Sequence, residues 1–334
     1  MDNDLFADAA RQVLAGQCTG AVVRAIEAGG RAAPEAAALW AQLEATGLAD
    51  ALLPEALGGA DLALAQAFGV LEQCGAHALP LPLGDTLAAR LLLARAGVAR
   101  PQGPIALARA ERLPGGGLRC PLVRGGAVAA WVLAQAPDGW HLLDAAQAQA
   151  APQALALDAA LQWQASAPVA VESEADVRTW QAAVLAPQMA GALASVFQRT
   201  LQYANERQQF GRPIGKFQAI QHQLAVMSEH VFAARMAAQL GCGGAVPGRL
   251  RVATAKARCS EAALAVSETA HAIHGAIGFT GEYDLQLYTR RLHAWRQAAG
   301  SESYWHAVAG EALLGHQGLT LDLVRRITDV EPVL

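Results

Sequence analysis

The chain has 334 residues, enough for two or three domains with an ample core. Hydrophobic residues make up 53% and charged residues 16%, which excludes a disordered chain. A net charge of −4 gives no whole-chain attraction to nucleic acid or to an anionic membrane surface.

The first residues, MDNDLFADAARQ, lack the basic region and apolar run of a signal peptide. No stretch approaches 18 uninterrupted apolar residues, so no transmembrane helix is expected. The cysteines Cys18, Cys74, Cys120, Cys242 and Cys259 are odd in number and have no CxxC spacing. They suit reduced, buried thiols and a cytoplasmic protein.

Residues 5 to 100 are rich in Ala and Leu at helical spacing. Leu39, Leu43 and Leu48 recur at helical intervals behind Pro34, a good helix start. "PEALGGAD" reads as a turn, "LALAQAFGVLEQCGAHALP" as a second helix, and "TLAARLLLARAG" as a third. Between 103 and 168 the texture changes to short apolar runs divided by Gly-Gly-Gly, Gly-Gly and Pro-Asp-Gly. These predict strands and hairpins of a small antiparallel β domain.

From 174 to 316 long helices return. Leu185, Met189, Leu193, Val196 and Leu201 mark the first, and Ile220, Leu224, Met227 and Val231 the second. A third runs through 250–274, a fourth covers 284–298, and "GSES" caps a last one near Trp305 and Leu313. Long helices with short joints suggest an antiparallel bundle. The resulting division is an N-terminal helical domain over 1–102, a β domain over 103–170 and a four-helix bundle over 171–334.

Between the first two bundle helices stands "NERQQFGRPIGKFQAIQHQLAVM". A plain connector needs a Gly and some polar residues. This one clusters Arg207, Gln209, Phe210, Gly211 and Arg212, then restarts at Phe217 and Gln218. With "HAIHGAIGFTGEYDLQLYTRR" and the N-terminal "LLPEALGGADL", it resembles the acyl-CoA dehydrogenase family. The resemblance covers 35–100 and 177–316 and is weak in the β domain.

The resemblance implies FAD, an acyl-CoA thioester substrate and a mainly α fold with a small β domain. It implies that Arg207, Gln209, Phe210, Gly211 and Gln218, with Gly275 and Gly278, hold the adenosine–diphosphate half of FAD across a subunit interface. The chemistry agrees. A diphosphate needs a cation of fixed geometry, N–H donors, and Gly where backbone approaches closely. Oligomerisation follows, as a homodimer or tetramer or with a second dehydrogenase subunit. The electron acceptor it implies is an electron-transferring flavoprotein.

The family also needs a carboxylate base for the α-proton while hydride leaves the β-carbon. Its usual position, just before a Gly-Thr/Ser pair, is Ala299 here. The second known position falls at Gln181 or Ala182. Glu302 is the nearest carboxylate, and a Glu there also suits the free N–H groups of a helix start. Family β domains meet the flavin ring through Thr/Ser and Trp. Trp131 and Trp140 read better as core or edge aromatics.

Other constellations lead to no site. His271 and His274 lack a third metal ligand, so no metal is expected. Ser301 with His306 lacks an orienting acid, and "GGG" at 115–117 lacks the GxGxxG frame. Three functions remain open: an acyl-CoA dehydrogenase, a half-site subunit completing a partner's FAD site, and a flavin-free scaffold on the same fold.

Overall fold

A computed structural model describes residues 2–164 and 168–328. The N-terminal part holds helices α1 (Asp2–Gln17), α2 (Gly20–Gly29), α3 (Pro34–Ala45), α4 (Phe68–Ala76) and α5 (Leu83–Arg95). The Thr19 hydroxyl accepts the Val22 N–H at 3.4 Å and caps α2. Pro34 opens α3, and Gly47 at φ +71° follows its end. The periodicity predicts α4 to begin near Leu62, yet it starts at Phe68. Before it, Asp61 turns the chain at φ +49° and the Gln66 side-chain oxygen accepts the Ala63 N–H at 2.7 Å, so side-chain bonding competes with the helix there.

The middle of the chain is one eight-stranded sheet. Its strands are β1 (Ile105–Arg109), β2 (Glu111–Arg112), β3 (Leu118–Val123), β4 (Trp131–Ala136), β5 (Gly139–Asp144), β6 (Gln149–Pro152), β7 (Ala159–Trp163) and β8 (Val169–Val171). The order is β6-β7-β3-β1-β4-β5-β8, with β2 on β3. The β4–β5 hairpin turns at the Pro-Asp-Gly signal, pairing Ala136 with Gly139.

One pairing corrects the antiparallel expectation: β1 and β4 run parallel, from Ile105 opposite Trp131 to Arg109 opposite Gln135. The chain returns from β1 through β2 and β3 on one edge, then crosses over to place β4 on the other. The sheet is therefore mixed. Its two faces are both covered. Ile105, Leu107 and Leu133 join the main core, while Ala106, Ala108 and Val132 fill a second, smaller core.

The C-terminal part is built on α6 (Val177–Glu206), α7 (Gln218–Gly241), α8 (Arg249–His274) and α9 (Leu285–Gln297), followed by α10 (Glu302–Leu314) and α11 (Thr320–Thr328). The Asp176 carboxylate caps α6 through the Thr179 N–H at 3.1 Å. Pro187 inside α6 has no N–H for the Ala183 carbonyl, and the Cys242 thiol, just past the end of α7, reaches that oxygen at 3.9 Å. Tyr203 near the end of α6 stacks on His274 at the end of α8, ring centroids 4.4 Å apart. Hence α6 and α8 run the same way and α7 runs against both.

Two glycines bring α4 onto α6. A Cβ on Gly75 would lie 1.7 Å from the Gln188 carbonyl oxygen, and one on Gly191 would lie 1.9 Å from that of Glu72. Each helix thus supplies the gap for the other's backbone. One apolar core then runs from the N-terminal helices through one sheet face into the bundle. All five cysteines are buried and free. Burial pushes Cys18, Cys74, Cys120 and Cys259 up to about 12, so these thiols are poor nucleophiles at neutral pH. No helix among the described residues is long and apolar enough to cross a membrane.

Candidate functional site

The motif after α6 folds into a minimal hairpin. Arg207 caps α6, its N–H bonding the Tyr203 carbonyl at 2.8 Å. Strand β9 (Gln208–Gln209) then pairs with β10 (Arg212–Pro213). The two residues between them, Phe210 at φ +51° and Gly211 at φ +78°, make the turn. Positive φ at both central positions is the geometry that matches strand twist in a two-residue hairpin. Gly accepts it freely, whereas Phe is strained there. The Phe210 ring is 91% exposed and meets Phe217 edge-on at 6.1 Å. Arg212 lies over the Phe217 ring at 4.3 Å. Arg207, Gln209 and Gln218 are all exposed, and no side chain caps the start of α7 at Gln218.

The second motif lies at the same end of the bundle, since Tyr203 Oη donates to the His274 carbonyl at 3.4 Å. Gly275 ends α8 at φ +62°, its N–H returning to the His271 carbonyl. That conformation accounts for a Gly there. A Cβ on Gly278 would lie 3.1 Å from His271 Nδ1 and His274 Cβ. Its close approach is thus to the end of α8 and to Leu285 at the start of α9, and the chain's own packing accounts for it. His271 bonds the Thr289 hydroxyl at 3.0 Å and His274 the Ala270 carbonyl at 2.7 Å. Burial lowers both histidine pKa values, so both are neutral at pH 7. Phe279, 71% exposed, stacks on His271.

The two base positions come together although 118 residues apart in number. Gln181 of α6 and Ala299, in the turn between α9 and α10, line one cleft of about 390 Å3. Gln181 is engaged elsewhere, its amide donating to the Leu107 carbonyl at 2.7 Å. Ala182 is fully buried in the core. Ala299 sits at φ +55° beside Gly300 at φ +97°. The Trp305 indole donates to the Ala299 carbonyl at 3.0 Å.

Behind that turn is a residue that sequence reasoning passes over. Lys256 of α8 is fully buried. Its ammonium donates to the carbonyls of Gly300 at 2.9 Å and Arg296 at 3.0 Å, and to the Ser260 hydroxyl at 2.8 Å. Burial drives its pKa down to about 7.

Glu302 begins α10 and forms a two-point ion pair with Arg296, Nε to Oε2 at 3.1 Å. Burial pushes its carboxyl up, but the Arg296 guanidinium outweighs this and holds it below its ordinary value. A low pKa and an occupied carboxylate make a poor general base. The carboxylate that does line the cleft is Glu111, exposed on β2 and opposite Arg119 in the ladder.

Ser301 caps α10 by accepting the Tyr304 N–H at 3.4 Å, while His306 pairs with Glu261 at 2.8 Å. The two do not act together. Trp140 is buried with its indole donating to the Ala175 carbonyl at 3.2 Å, a packing role. Among the described residues no group of three or more His, Cys, Asp or Glu is placed to hold a metal.

A mixed sheet between a helical N-terminal part and a long-helix bundle, with an exposed Arg–Phe hairpin at one bundle end, is the layout of a flavoprotein dehydrogenase acting on CH–CH donors. The chain belongs to the acyl-CoA dehydrogenase family.

The profile for the acyl-CoA dehydrogenase C-terminal domain matches residues 178–314. The acyl-CoA dehydrogenase IpdE2 of Mycobacterium tuberculosis is 34% identical over 83% of this chain and 86% of its own. That of Mycolicibacterium smegmatis is 33% identical over 78% and 83%. Among solved structures, the Tcur3481–Tcur3483 steroid acyl-CoA dehydrogenase superposes with a TM-score of 0.81 at 25% identity, covering 93% of this chain and 97% of that one. The ChsE4–ChsE5 complex from Mycobacterium tuberculosis gives 0.82 at 22% identity over 95% and 98%, a match of fold.

The family's cofactor is FAD, and this chain fits one end of it. Exposed Arg207, Gln209 and Gln218 with the uncovered Phe210 ring suit an adenosine–diphosphate. The ring end has less to offer: among the described residues the strands of the sheet contain no Ser or Thr, so none of these strands supplies a hydroxyl to an isoalloxazine.

Proposed function

We propose that the chain is a half-site subunit of a heteromeric acyl-CoA dehydrogenase. Its hairpin, Arg207 to Pro213, reaches over the adenosine–diphosphate end of an FAD whose ring and catalytic carboxylate belong to a partner dehydrogenase. The observation that carries this reading is the cleft where both base positions meet and hold Gln181 and Ala299. Neither side chain removes a proton.

The projecting hairpin supports it too. Phe210 is strained and uncovered in the single chain, which suits a contact completed by a second one. The partner then takes the acyl-CoA substrate and passes electrons to an acceptor such as an electron-transferring flavoprotein. Two structurally similar assemblies are pairs by name, the ChsE4–ChsE5 complex and Tcur3481–Tcur3483, which supports a paired assembly for this chain.

The test is flavin content. The chain expressed alone is colourless, and the co-purified complex carries FAD that bleaches with an acyl-CoA. Arg207→Ala in the complex lowers FAD retention at least tenfold, the loss of one charged hydrogen bond to phosphate. A single chain holding one FAD that bleaches with acyl-CoA refutes the half-site reading. Absence of flavin in both preparations favours a scaffold.

A further inference from the structure

The cleft that lacks its base is not simply an empty copy of a thioester site. Three arginines from three elements line it: Arg109 at the end of β1, Arg124 after β3, and Arg178 in the first turn of α6. Their charges are unevenly matched. Arg124 is bound to the buried carboxylate of Asp85. Arg178 Cζ lies over the Tyr304 ring, 4.3 Å from its centroid, a contact that leaves it cationic. Arg109 is exposed and forms no salt bridge among the described residues.

The one lining carboxylate, Glu111, faces Arg119 across the β2–β3 ladder. Neutral donors and acceptors complete the wall, from Gln181, Gln297 and the Gly300 backbone. A net positive wall with amide groups is a poor seat for an uncharged acyl thioester. It is a good one for an anion with several oxygens.

We infer that this cleft is a noncatalytic binding site for a phosphate ester or diphosphate, held by Arg109 and Arg178 against the fixed Arg124–Asp85 pair. The inference rests on the half-site reading above, because a working acyl site would need the same space. One carboxylate is satisfied by a single guanidinium fork, whereas a phosphate dianion or diphosphate accepts from two or more. The two guanidiniums not held by Asp85, those of Arg109 and Arg178, therefore select phosphate over carboxylate. A volume of about 390 Å3 lies in the range of small-ligand pockets. The site lies between the sheet and the start of α6, and the hairpin for the FAD tail follows the other end of that helix, so the two can be loaded independently.

The source of the phosphate is either a free phosphorylated metabolite or the diphosphate end of a CoA, and calorimetric titration separates them. The full chain is titrated with inorganic pyrophosphate, with CoA, and with succinate as the carboxylate control. Pyrophosphate binds saturably, at least tenfold tighter than succinate. CoA binding tenfold tighter than pyrophosphate assigns the site to CoA, and equal or weaker binding assigns it to a free phosphate compound.

Arg109→Ala and Arg178→Gln each weaken pyrophosphate at least fivefold and steepen no thermal melt, while Arg207→Ala leaves it unchanged. Absence of saturable binding, succinate binding as tightly as pyrophosphate, or full affinity in Arg109→Ala/Arg178→Gln overturns the inference. Flavin retention by the complex is read separately. Its loss in Arg207→Ala with phosphate binding intact upholds both readings, and its persistence there strikes the half-site reading alone.

Discussion

Replacing Lys256 by Met tests the turn at the family's base position from the inside. The two side chains have similar length, and Met has neither charge nor donor. In the wild type, burial holds the amine at about 7, against 10.5 for an ordinary lysine. The unfolded chain therefore binds more protons than the folded one between pH 7 and 10.5. By linkage, stability from this group is greatest above pH 10.5 and is lost as pH falls through 7. The full displacement is worth roughly 5 kcal/mol, with a maximum slope of about 1.4 kcal/mol per pH unit.

The Met variant has no such term, but it leaves the Gly300 and Arg296 carbonyls without their donor, at about 1–3 kcal/mol each. Urea unfolding of both chains at half-unit steps from pH 6.5 to 9 reads the difference. The wild type gains about 2–3 kcal/mol on the variant across that range. The shifts of His271 and His274 occur in both chains and cancel. A difference that stays flat with pH would show that Lys256 is not held near neutrality and would refute the argument.

Further outcomes follow from other contacts. Gly75→Ala or Gly191→Ala forces a Cβ to within 2 Å of a carbonyl on the facing helix. Each is expected to lose at least about 3 kcal/mol or fail to fold, by thermal melt. Ala299→Gly relieves a φ of +55° and raises stability by up to about 1 kcal/mol; a loss would show that the Ala methyl is needed in the cleft. Glu302→Gln leaves turnover of the assembled enzyme unchanged and lowers stability by about 1 kcal/mol through the Arg296 pair. Abolished turnover would make Glu302 the base.

The helices of the bundle were legible because each buries a stripe at regular spacing, as Leu185, Met189 and Leu193 do in α6. The strands were legible from their Gly and Pro-Asp-Gly breaks. The parallel β1–β4 pair was not, because a hairpin rule assumes that successive strands are neighbours and β2–β3 intervenes. The meeting of Gln181 and Ala299 was accessible through family spacing alone.

Arg109, Arg124 and Arg178 carry no local pattern, since their common cleft exists only when the sheet docks on the bundle. Lys256 had one faint signal: it is one of two lysines in the chain, set among small apolar residues of a buried helix face. Gly275 and Gly278 also serve the chain's own packing, Gly275 by ending α8 and Gly278 by its close approach to it.

The hairpin has a consequence for supply as well as for binding. A chain made without its counterpart would carry Phe210, Phe279 and Ile277 uncovered at one end of the bundle. Three large apolar side chains in one region favour clumping with themselves or capture by quality control. Under the half-site reading, a cell that needs the assembled enzyme does best to make the two chains together and in equal number. The same hairpin would let an unpaired copy be recognised and removed.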